Sequence, residues 1–322
     1  MSAEADQADA GDGPRPVVMG RVRLNPAQVR HVIGLTVAAL VLFVAVRLLP
    51  TSGSLNHMDF RMTGRGALEF CDPANPQFIP VVAVRSPVVM ALKSDAEPQL
   101  GRPVTFTLTL ATATGKPIAP EDLLVAHTRK LHLLVVDPTL VDYQHIHPEP
   151  GRRPGEWVFT LAPERAGLYR VFADFTPAAT GRGLYASADF LVPGAVGRIT
   201  RSPNTTAQAF GCNFELVIPA VFQAGKVADL AFRIESQGTI KEPVPLQPVM
   251  GAFAHLVAFD ESRVGFAHLH PAETDLSKQL DALHPELHFK LTIPSAGRYV
   301  IWAQVNLGGN VAFVPFWIDV LP

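Results

Sequence analysis

Two short segments of the chain carry the same pair of alternating histidines followed by a proline. The first reads YQHIHPEP over residues 143–150, and the second reads FAHLHPAE over residues 266–273. Imidazole nitrogen is a common protein ligand for copper, zinc, nickel and iron. A histidine pair that recurs in one chain therefore points to transition-metal chemistry.

The two segments belong to an internal duplication. At a constant offset of 123 residues, LHLLVVDPTLVDYQHIHPEP (131–150) aligns with AHLVAFDESRVGFAHLHPAE (254–273). The aligned pairs are His132 with His255, Asp137 with Asp260, Tyr143 with Phe266, His145 with His268, and His147 with His270. Segments 99–110 and 162–175 recur as 223–234 and 293–305 at nearby offsets. The repeated unit is about 110 residues long, which is the size of one domain.

The pattern of each unit predicts β-strands. Apolar residues alternate with threonines in TFTLTL (105–110), which is the period of a half-buried strand. HLLVV and HLVAF are near-continuous apolar runs of the kind found in a sandwich core. An Ala-Gly-x-Tyr element places Tyr169 and Tyr299 where immunoglobulin-like sandwiches often have a corner tyrosine. We therefore predict an all-β fold with two tandem immunoglobulin-like or cupredoxin-like β-sandwich domains, over residues 86–193 and 206–322, joined by a linker over 194–205.

A β-hairpin would bring three histidines of each unit to one face. If residues 132–137 and 142–147 pair as an antiparallel hairpin, Leu134 faces His145 and His132 faces His147. Strand residues two apart also share a face, so His132, His145 and His147 would lie within ~5–8 Å of one another. The same reasoning groups His255, His268 and His270. Three such imidazoles can converge on one cation, and a shift of one residue in register would separate them.

Two further residues are candidate fourth ligands. His127 lies five residues before His132, and Met250 lies five residues before His255. Histidine and thioether both bind copper, and the thioether prefers Cu(I). The alternative is structural, with the histidines filling and capping the hairpins and with Asp137 and Asp260 forming the turns.

The N-terminal part of the chain predicts a membrane anchor. Residues 31–50 are apolar and long enough to span ~30 Å as a helix. Arg21, Arg23 and Arg30 precede this segment closely, which favours a cytoplasmic N-terminus and extracytoplasmic C-terminal domains on the inner membrane. A cleaved signal peptide is the alternative. If the segment is an anchor, residues 1–30 form a disordered cytoplasmic tail, and residues 51–85 form a strap that leaves the membrane.

The composition of the chain limits the classes of function that it can have. The net charge of −2 gives no reason to expect nucleic-acid binding. The only cysteines are Cys71 and Cys212, which either pair in an oxidising compartment or are two independent small residues. No catalytic nucleophile motif or phosphate-binding loop is found, so we expect a protein that is not an enzyme.

The repeated histidine segment resembles one found in a family of bacterial membrane-bound or secreted proteins with tandem immunoglobulin-like or cupredoxin-like domains. The residues that carry this resemblance are His132, Asp137, Tyr143, His145, His147 and Pro148, together with His255, Asp260, Phe266, His268, His270 and Pro271. The resemblance covers most of residues 86–322, and it implies a link with copper or heavy-metal handling. Blue-copper domains differ because they need a late cysteine ligand. Cupins also contain a His-x-His pair with a glutamate after it, but Glu149 and Glu273 follow their pairs at a shorter spacing than the cupin glutamate does.

The sequence thus predicts a membrane-anchored, extracytoplasmic protein that binds copper, or else zinc, as a buffer, sensor or delivery module. Its partners would be the metal ion, the membrane through residues 31–50, and another envelope protein. The first alternative is an interaction module of the cell envelope with structural histidines. A weaker alternative is a cupin-like metalloenzyme.

Overall fold

A computed structural model describes residues 25–48, 55–60, 77–197 and 202–322. Helix α1 (Pro26–Leu48) contains residues 31–48 of the apolar segment and is long and apolar enough to cross a membrane. It begins five residues before the predicted segment because Asn25 and Gln28 cap its first turn reciprocally. The Gln28 amide donates to Asn25 Oδ1 at 2.8 Å, and the Asn25 amide donates to Gln28 Oε1 at 3.0 Å.

The first repeat consists of two four-stranded antiparallel sheets. The outer sheet has the strand order β1-β2-β6-β5, and the inner sheet has the order β4-β3-β7-β8. The strands are β1 (Val88–Ser94), β2 (Val104–Thr112), β3 (Leu131–Val136), β4 (Tyr143–Ile146), β5 (Glu149–Pro150), β6 (Glu156–Leu161), β7 (Gly167–Phe175) and β8 (Leu184–Val192). Apolar residues of β2, β3, β6 and β7 fill the space between the two sheets, so this repeat has a core of its own.

The second repeat has the same plan. Its outer sheet has the order β15-β11-β10-β9, and its inner sheet has the order β12-β16-β13-β14, with β17 also paired to β16. The strands are β9 (Thr206–Ala209), β10 (Cys212–Val217), β11 (Val227–Ser236), β12 (Leu246–Gln247), β13 (Ala254–Asp260), β14 (Phe266–Leu269), β15 (Glu286–Thr292), β16 (Gly297–Leu307) and β17 (Asn310–Val320). A second core lies between these two sheets.

The two inner sheets pack against each other through a third apolar core. Leu134 and Val136 of β3 face Val257 and Phe259 of β13 in this layer. The contacts across it are reciprocal. Phe172 of β7 packs on Phe266 of β14 with ring centroids 5.2 Å apart, and the equivalent pair, Trp302 with Tyr143, is 5.7 Å apart. The repeats therefore form a four-layered unit whose interface has an approximate twofold relation.

Residues 77–82 of the strap add to this interface. Ile79 pairs with Phe266, with its amide 2.7 Å from the Phe266 carbonyl oxygen. The approach is close enough that a Cβ atom on Gly265 would come within 1.9 Å of the Ile79 carbonyl oxygen. Glycine at position 265 is therefore required by the close approach of the strap backbone.

The all-β fold with two repeated domains after one N-terminal apolar helix is confirmed by this architecture. The corner tyrosines are placed as expected. The Tyr299 hydroxyl donates to the Ser295 carbonyl at 2.9 Å, and the Tyr169 hydroxyl accepts from the Arg165 amide at 2.9 Å. Several predictions concern residues outside the described ranges: the tail before residue 25, part of the strap and of the linker, and Cys71. Cys212 is buried in the core of the second repeat.

Candidate metal centre

The hairpin of the first repeat has the predicted register. Leu134 lies opposite His145, and the side chain of Asp137 closes the turn by accepting from the amides of Val141 at 2.8 Å and Asp142 at 2.9 Å. His132 precedes Leu134 by two residues and therefore points to the same side, toward the other repeat. Local turn chemistry and strand period thus bring His132, His145 and His147 together as a first histidine trio.

The second repeat reproduces this hairpin. Val257 lies opposite His268, and Asp260 Oδ1 accepts from the amides of Val264 at 2.7 Å and Gly265 at 3.1 Å. A second trio results, made of His255, His268 and His270. The aspartates therefore form the turns, as the structural alternative holds, and the same turns position the histidines.

The nitrogens within each trio are close enough to share one ion. In each trio one nitrogen per ring can be chosen so that all three lie within 4.8 Å of one another. In the first trio, His132 Nδ1 lies 3.1 Å from His145 Nε2 and 3.1 Å from His147 Nε2. Zinc bound tetrahedrally at 2.0–2.1 Å separates its ligand nitrogens by about 3.3 Å. The trios therefore need little adjustment to hold a metal.

In the second trio, the three convergent nitrogens have no hydrogen-bond partner among the described residues. These atoms are His255 Nδ1, His268 Nε2 and His270 Nε2, and all three are buried. The far side of two rings is occupied, because His255 Nε2 donates to the Val249 carbonyl at 3.0 Å and His268 Nδ1 donates to Asp174 Oδ2 at 3.0 Å. Both acceptors are oxygens, so in neutral rings the inward nitrogens of His255 and His268 carry lone pairs. Buried lone pairs without a donor are the donor set that a cation requires.

The first trio is held in a similar way. His132 Nε2 donates to the Ala126 carbonyl at 3.0 Å, and His145 Nδ1 donates to Gln304 Oε1 at 2.8 Å. Gln304 belongs to the second repeat, just as Asp174 belongs to the first. One imidazole of each trio is thus oriented by a side chain from the opposite repeat.

The two trios adjoin each other across the interface. The ring centroids of His145 and His268 are 5.3 Å apart, those of His132 and His268 are 5.7 Å apart, and those of His145 and His255 are 6.2 Å apart. With His127, the trios form a group of seven histidines that we call the histidine cluster. The sequence led us to expect one site in each domain, but the structure brings both sites to the domain interface.

The two candidate fourth ligands occupy equivalent turns. His127 and Met250 both have left-handed backbone conformations, with φ of 47° and 50°. His127 is an exposed residue, but its ring stacks on that of His270, with centroids 3.5 Å apart, whereas its centroid is 6.4 Å from that of His132. The turn that carries His127 thus crosses the interface, so His127 lies nearer the second trio than the first, for which it was predicted. Met250 is half-buried.

Burial lowers the pKa of the trio imidazoles. Desolvation of the charged form is the main cause at every trio histidine, followed at several positions by repulsion from neighbouring imidazoles. The pKa of His147 is lowered to about 4 and that of His255 to about 3. The pKa values of His145 and His268 are well below the usual value of 6.5. The rings are therefore neutral at neutral pH, which is the form that binds metals.

A cavity of about 770 Å³ opens beside the second trio. Its lining includes His127, His132, His268 and His270 from the cluster, together with Asp174 and apolar residues such as Phe266. Two histidines of the second trio and one of the first are therefore reachable from this cavity. His288 lies at its edge and is bound to Glu273 at 2.8 Å, so Glu273 serves a surface histidine and not the cluster.

Sequence reasoning missed Asp174 and Gln304. Both lie on strands next to the histidine strands, since Asp174 pairs with His132 and Gln304 pairs with His255. Each is a polar residue within an otherwise apolar stretch of its strand, in FADF and WAQV. The presence of a polar residue in an apolar run at the equivalent position of both repeats is the signal that could have found them.

Fold and site together define a tandem β-sandwich protein with a histidine cluster between its two repeats. One family matches the chain twice, at residues 86–190 and 207–321, and its description is Domain of unknown function (DUF8832). The chain belongs to this family.

No curated protein matches the chain. Among solved structures, the chain is similar to a protein of Corynebacterium diphtheriae that is described as membrane anchored, with 10% identity, a TM-score of 0.23 and 72% of this chain covered. It is also similar to trypsin-activated alpha-2-macroglobulin from Escherichia coli, with 14% identity, a TM-score of 0.23 and 73% of this chain covered. The chain spans 59% of the first protein and 18% of the second.

Proposed function

We propose that the protein binds transition-metal ions at the histidine cluster, one in each trio. The observation that carries this proposal is the set of three buried nitrogens of His255, His268 and His270, which have no hydrogen-bond partner in the part of the chain that the structure describes. An unpartnered buried polar atom costs roughly 1–3 kcal/mol, and three of them converging on one point would be a large penalty unless a ligand satisfies them.

Copper is the first candidate metal and zinc is the second. Cu(II) is bound most tightly of the first-row divalent ions by a given nitrogen site, and three histidines also make a common zinc site. Met250 and His127 are the proposed fourth ligands, and a thioether at position 250 would favour Cu(I). Because Cys212 lies in the core of the second repeat, it supplies no thiolate to the cluster.

The role we propose is that of a membrane-anchored, extracytoplasmic buffer, sensor or delivery protein. Helix α1 would cross the inner membrane with the N-terminus in the cytoplasm, so that the sandwich repeats meet metals that enter from outside. A reporter enzyme fused after Pro322 should then be active only outside the cytoplasm. Activity of the reporter in the cytoplasm would contradict this orientation.

The metal proposal is tested by stoichiometry. The full-length chain, purified in detergent and treated with a chelator, should bind two Cu(II) or two Zn(II) ions in a titration followed by isothermal calorimetry. His147→Ala and His270→Ala should each remove one ion, and His284→Ala, which changes an exposed histidine outside the cluster, should remove none. A folded wild type that binds no metal would refute the proposal and favour an interaction module with structural histidines.

The cavity favours a second candidate function, that of a metalloenzyme. Zinc enzymes use three protein ligands and keep a fourth position open, and the cavity gives a small molecule access to His268 and His270. Azide added to the Co(II)-loaded protein should then shift its visible absorption bands. An unchanged spectrum would leave the non-enzymatic role as the better proposal.

A further inference from the structure

The two trios differ in the group that orients one of their imidazoles. In the second trio this group is the carboxylate of Asp174, which accepts from His268, and in the first trio it is the neutral amide of Gln304, which accepts from His145. The first histidine of each trio is held by the same kind of hydrogen bond, because both His132 and His255 donate to a backbone carbonyl. The main difference in the support of the two sites therefore lies at positions 174 and 304.

We infer that Asp174 and Gln304 are positioning residues that each serve the site of the opposite repeat, and that the carboxylate of Asp174 makes the second trio the tighter site for a divalent cation. The inference rests on the proposed function and deepens it, because it gives the order in which the two sites fill.

A carboxylate behind a ligating histidine strengthens the metal bond in two ways. It fixes the tautomer and the ring plane, and its negative charge raises the basicity of the nitrogen on the other side of the ring. An amide oxygen also fixes the tautomer and the ring plane, but it is uncharged and raises the basicity of the ligating nitrogen only slightly. Because Asp174 and His268 are largely shielded from water, solvent screens this charge less than at the surface.

Asp174 is also the cross-strand neighbour of His132 in the first trio, so part of its charge reaches that site as well. Its direct hydrogen bond, however, goes to His268 of the second trio, at 3.0 Å. The carboxylate therefore supports the second trio more directly than the first.

The two sites can be measured separately in the full-length chain. His147→Ala leaves the second trio intact, and His270→Ala leaves the first trio intact. With Zn(II) affinity measured by competition with a chromophoric chelator, we expect the His147→Ala protein to bind about tenfold more tightly than the His270→Ala protein. Equal affinities, or tighter binding at the first trio, would overturn the inference.

Exchanging the two orienting groups supplies the decisive variants. Asp174→Asn in the His147→Ala background should weaken Zn(II) binding by about 10–100-fold, the usual effect of losing such a partner. Gln304→Glu in the His270→Ala background should strengthen binding there by about tenfold. A change below twofold for Gln304→Glu would overturn the inference even if Asp174→Asn does not fold.

A matched control separates this effect from the general charge of the cavity. Asp229 is a second carboxylate that lines the cavity, and it pairs with Lys290 at 2.6 Å. Asp229→Asn should leave Zn(II) affinity in the His147→Ala background within twofold, and a loss as large as that for Asp174→Asn would overturn the inference. If neither single-site background binds Zn(II) while both remain folded, the proposed function itself fails.

Discussion

Each oriented imidazole of the cluster has one nitrogen facing its trio and the other held by an acceptor on its far side. That arrangement commits the ring to one tautomer and directs its inward lone pair at the other rings of the trio. For His255 the acceptor is the Val249 carbonyl, and the ring is fully buried. A residue in this setting has both a structural and a ligating role, whereas half-buried His147 depends less on its surroundings.

This difference between His147 and His255 predicts different effects on stability. His147→Ala should change the free energy of unfolding of the metal-free protein by less than about 0.5 kcal/mol, because the ring is at the hairpin end. His255→Ala should cost about 2–4 kcal/mol, because it leaves a cavity and an unpaired Val249 carbonyl. Urea unfolding after chelation measures both. A large loss for His147→Ala would support the structural interpretation of that histidine.

The lowered histidine pKa values predict acid sensitivity of the metal-free fold. Between the lowered pKa of each ring and the ordinary value near 6.5, the unfolded chain binds protons that the folded chain does not. Stability is therefore complete above pH 6.5 and falls as the pH decreases, by roughly 1.4 kcal/mol per pH unit for each histidine that stays neutral. For His147 this window extends down to about pH 4. Urea unfolding at pH 7.5, 6.5 and 5.5 tests this, and a constant free energy across the series would contradict it.

At the residue scale, the sequence predicted the members of each trio but not their supporting groups. The period of two along a strand and the four-residue loop were enough to place His132, His145 and His147 together. Asp174 and Gln304 can be noticed as polar residues in apolar runs, but their partners could not be assigned, because each contacts a histidine about 90 or more residues away, in a different repeat. No local pattern encodes which histidine each one contacts.

At the scale of elements, the strap and the hairpins determine how the inner sheets meet. Ile79 pairs with Phe266 on β14, directly beside the second trio, and this pairing depends on the absence of a side chain at Gly265. The strap therefore holds the strand that carries His268. The sequence predicted a strap over residues 51–85, but its pairing with β14 depends on a tertiary contact that composition does not specify.

Replacing this glycine predicts a local loss of order. Gly265→Ala would place its Cβ atom 1.9 Å from the Ile79 carbonyl oxygen, so the strap must separate from β14. We expect a cost of about 1–3 kcal/mol in unfolding free energy and faster amide exchange at Ile79 and Phe266. Gly197→Ala is the matched control, because a Cβ atom there meets nothing within 4 Å. Unchanged exchange in Gly265→Ala would show that the strap pairing is dispensable.

At the scale of the whole molecule, the packing of the inner sheets converts two hairpin sites into one cluster. The sequence predicted the duplication and the sandwich class because periodicity and offset are local properties. It could not predict the proximity of the sites, because that depends on which faces of the two sandwiches associate. Apolar residues at Leu134, Val136, Val257 and Phe259 make that association favourable.

Proximity of the two sites predicts a magnetic interaction. With Cu(II) in both trios, the two unpaired electrons should be close enough to broaden the electron paramagnetic resonance spectrum and to give a half-field signal, given ring centroids 5.3 Å apart between His145 and His268. The His147→Ala and His270→Ala proteins, each with one ion, should show an ordinary mononuclear spectrum. A doubly loaded wild type whose spectrum equals the sum of the two single-site spectra would contradict the packing.

The reciprocal exchange of orienting side chains has a consequence for the origin of the chain. Asp174 serves a histidine of the second repeat, and Gln304, at the equivalent position, serves a histidine of the first. Contacts that exchange in this way are those of an isologous interface between two identical subunits. A single-repeat ancestor would therefore have completed its site only as a homodimer, and gene fusion would have made that dimer permanent. Fusion would free the two copies to diverge, and such divergence would account for an acidic residue in one repeat and an amide residue at the equivalent position of the other.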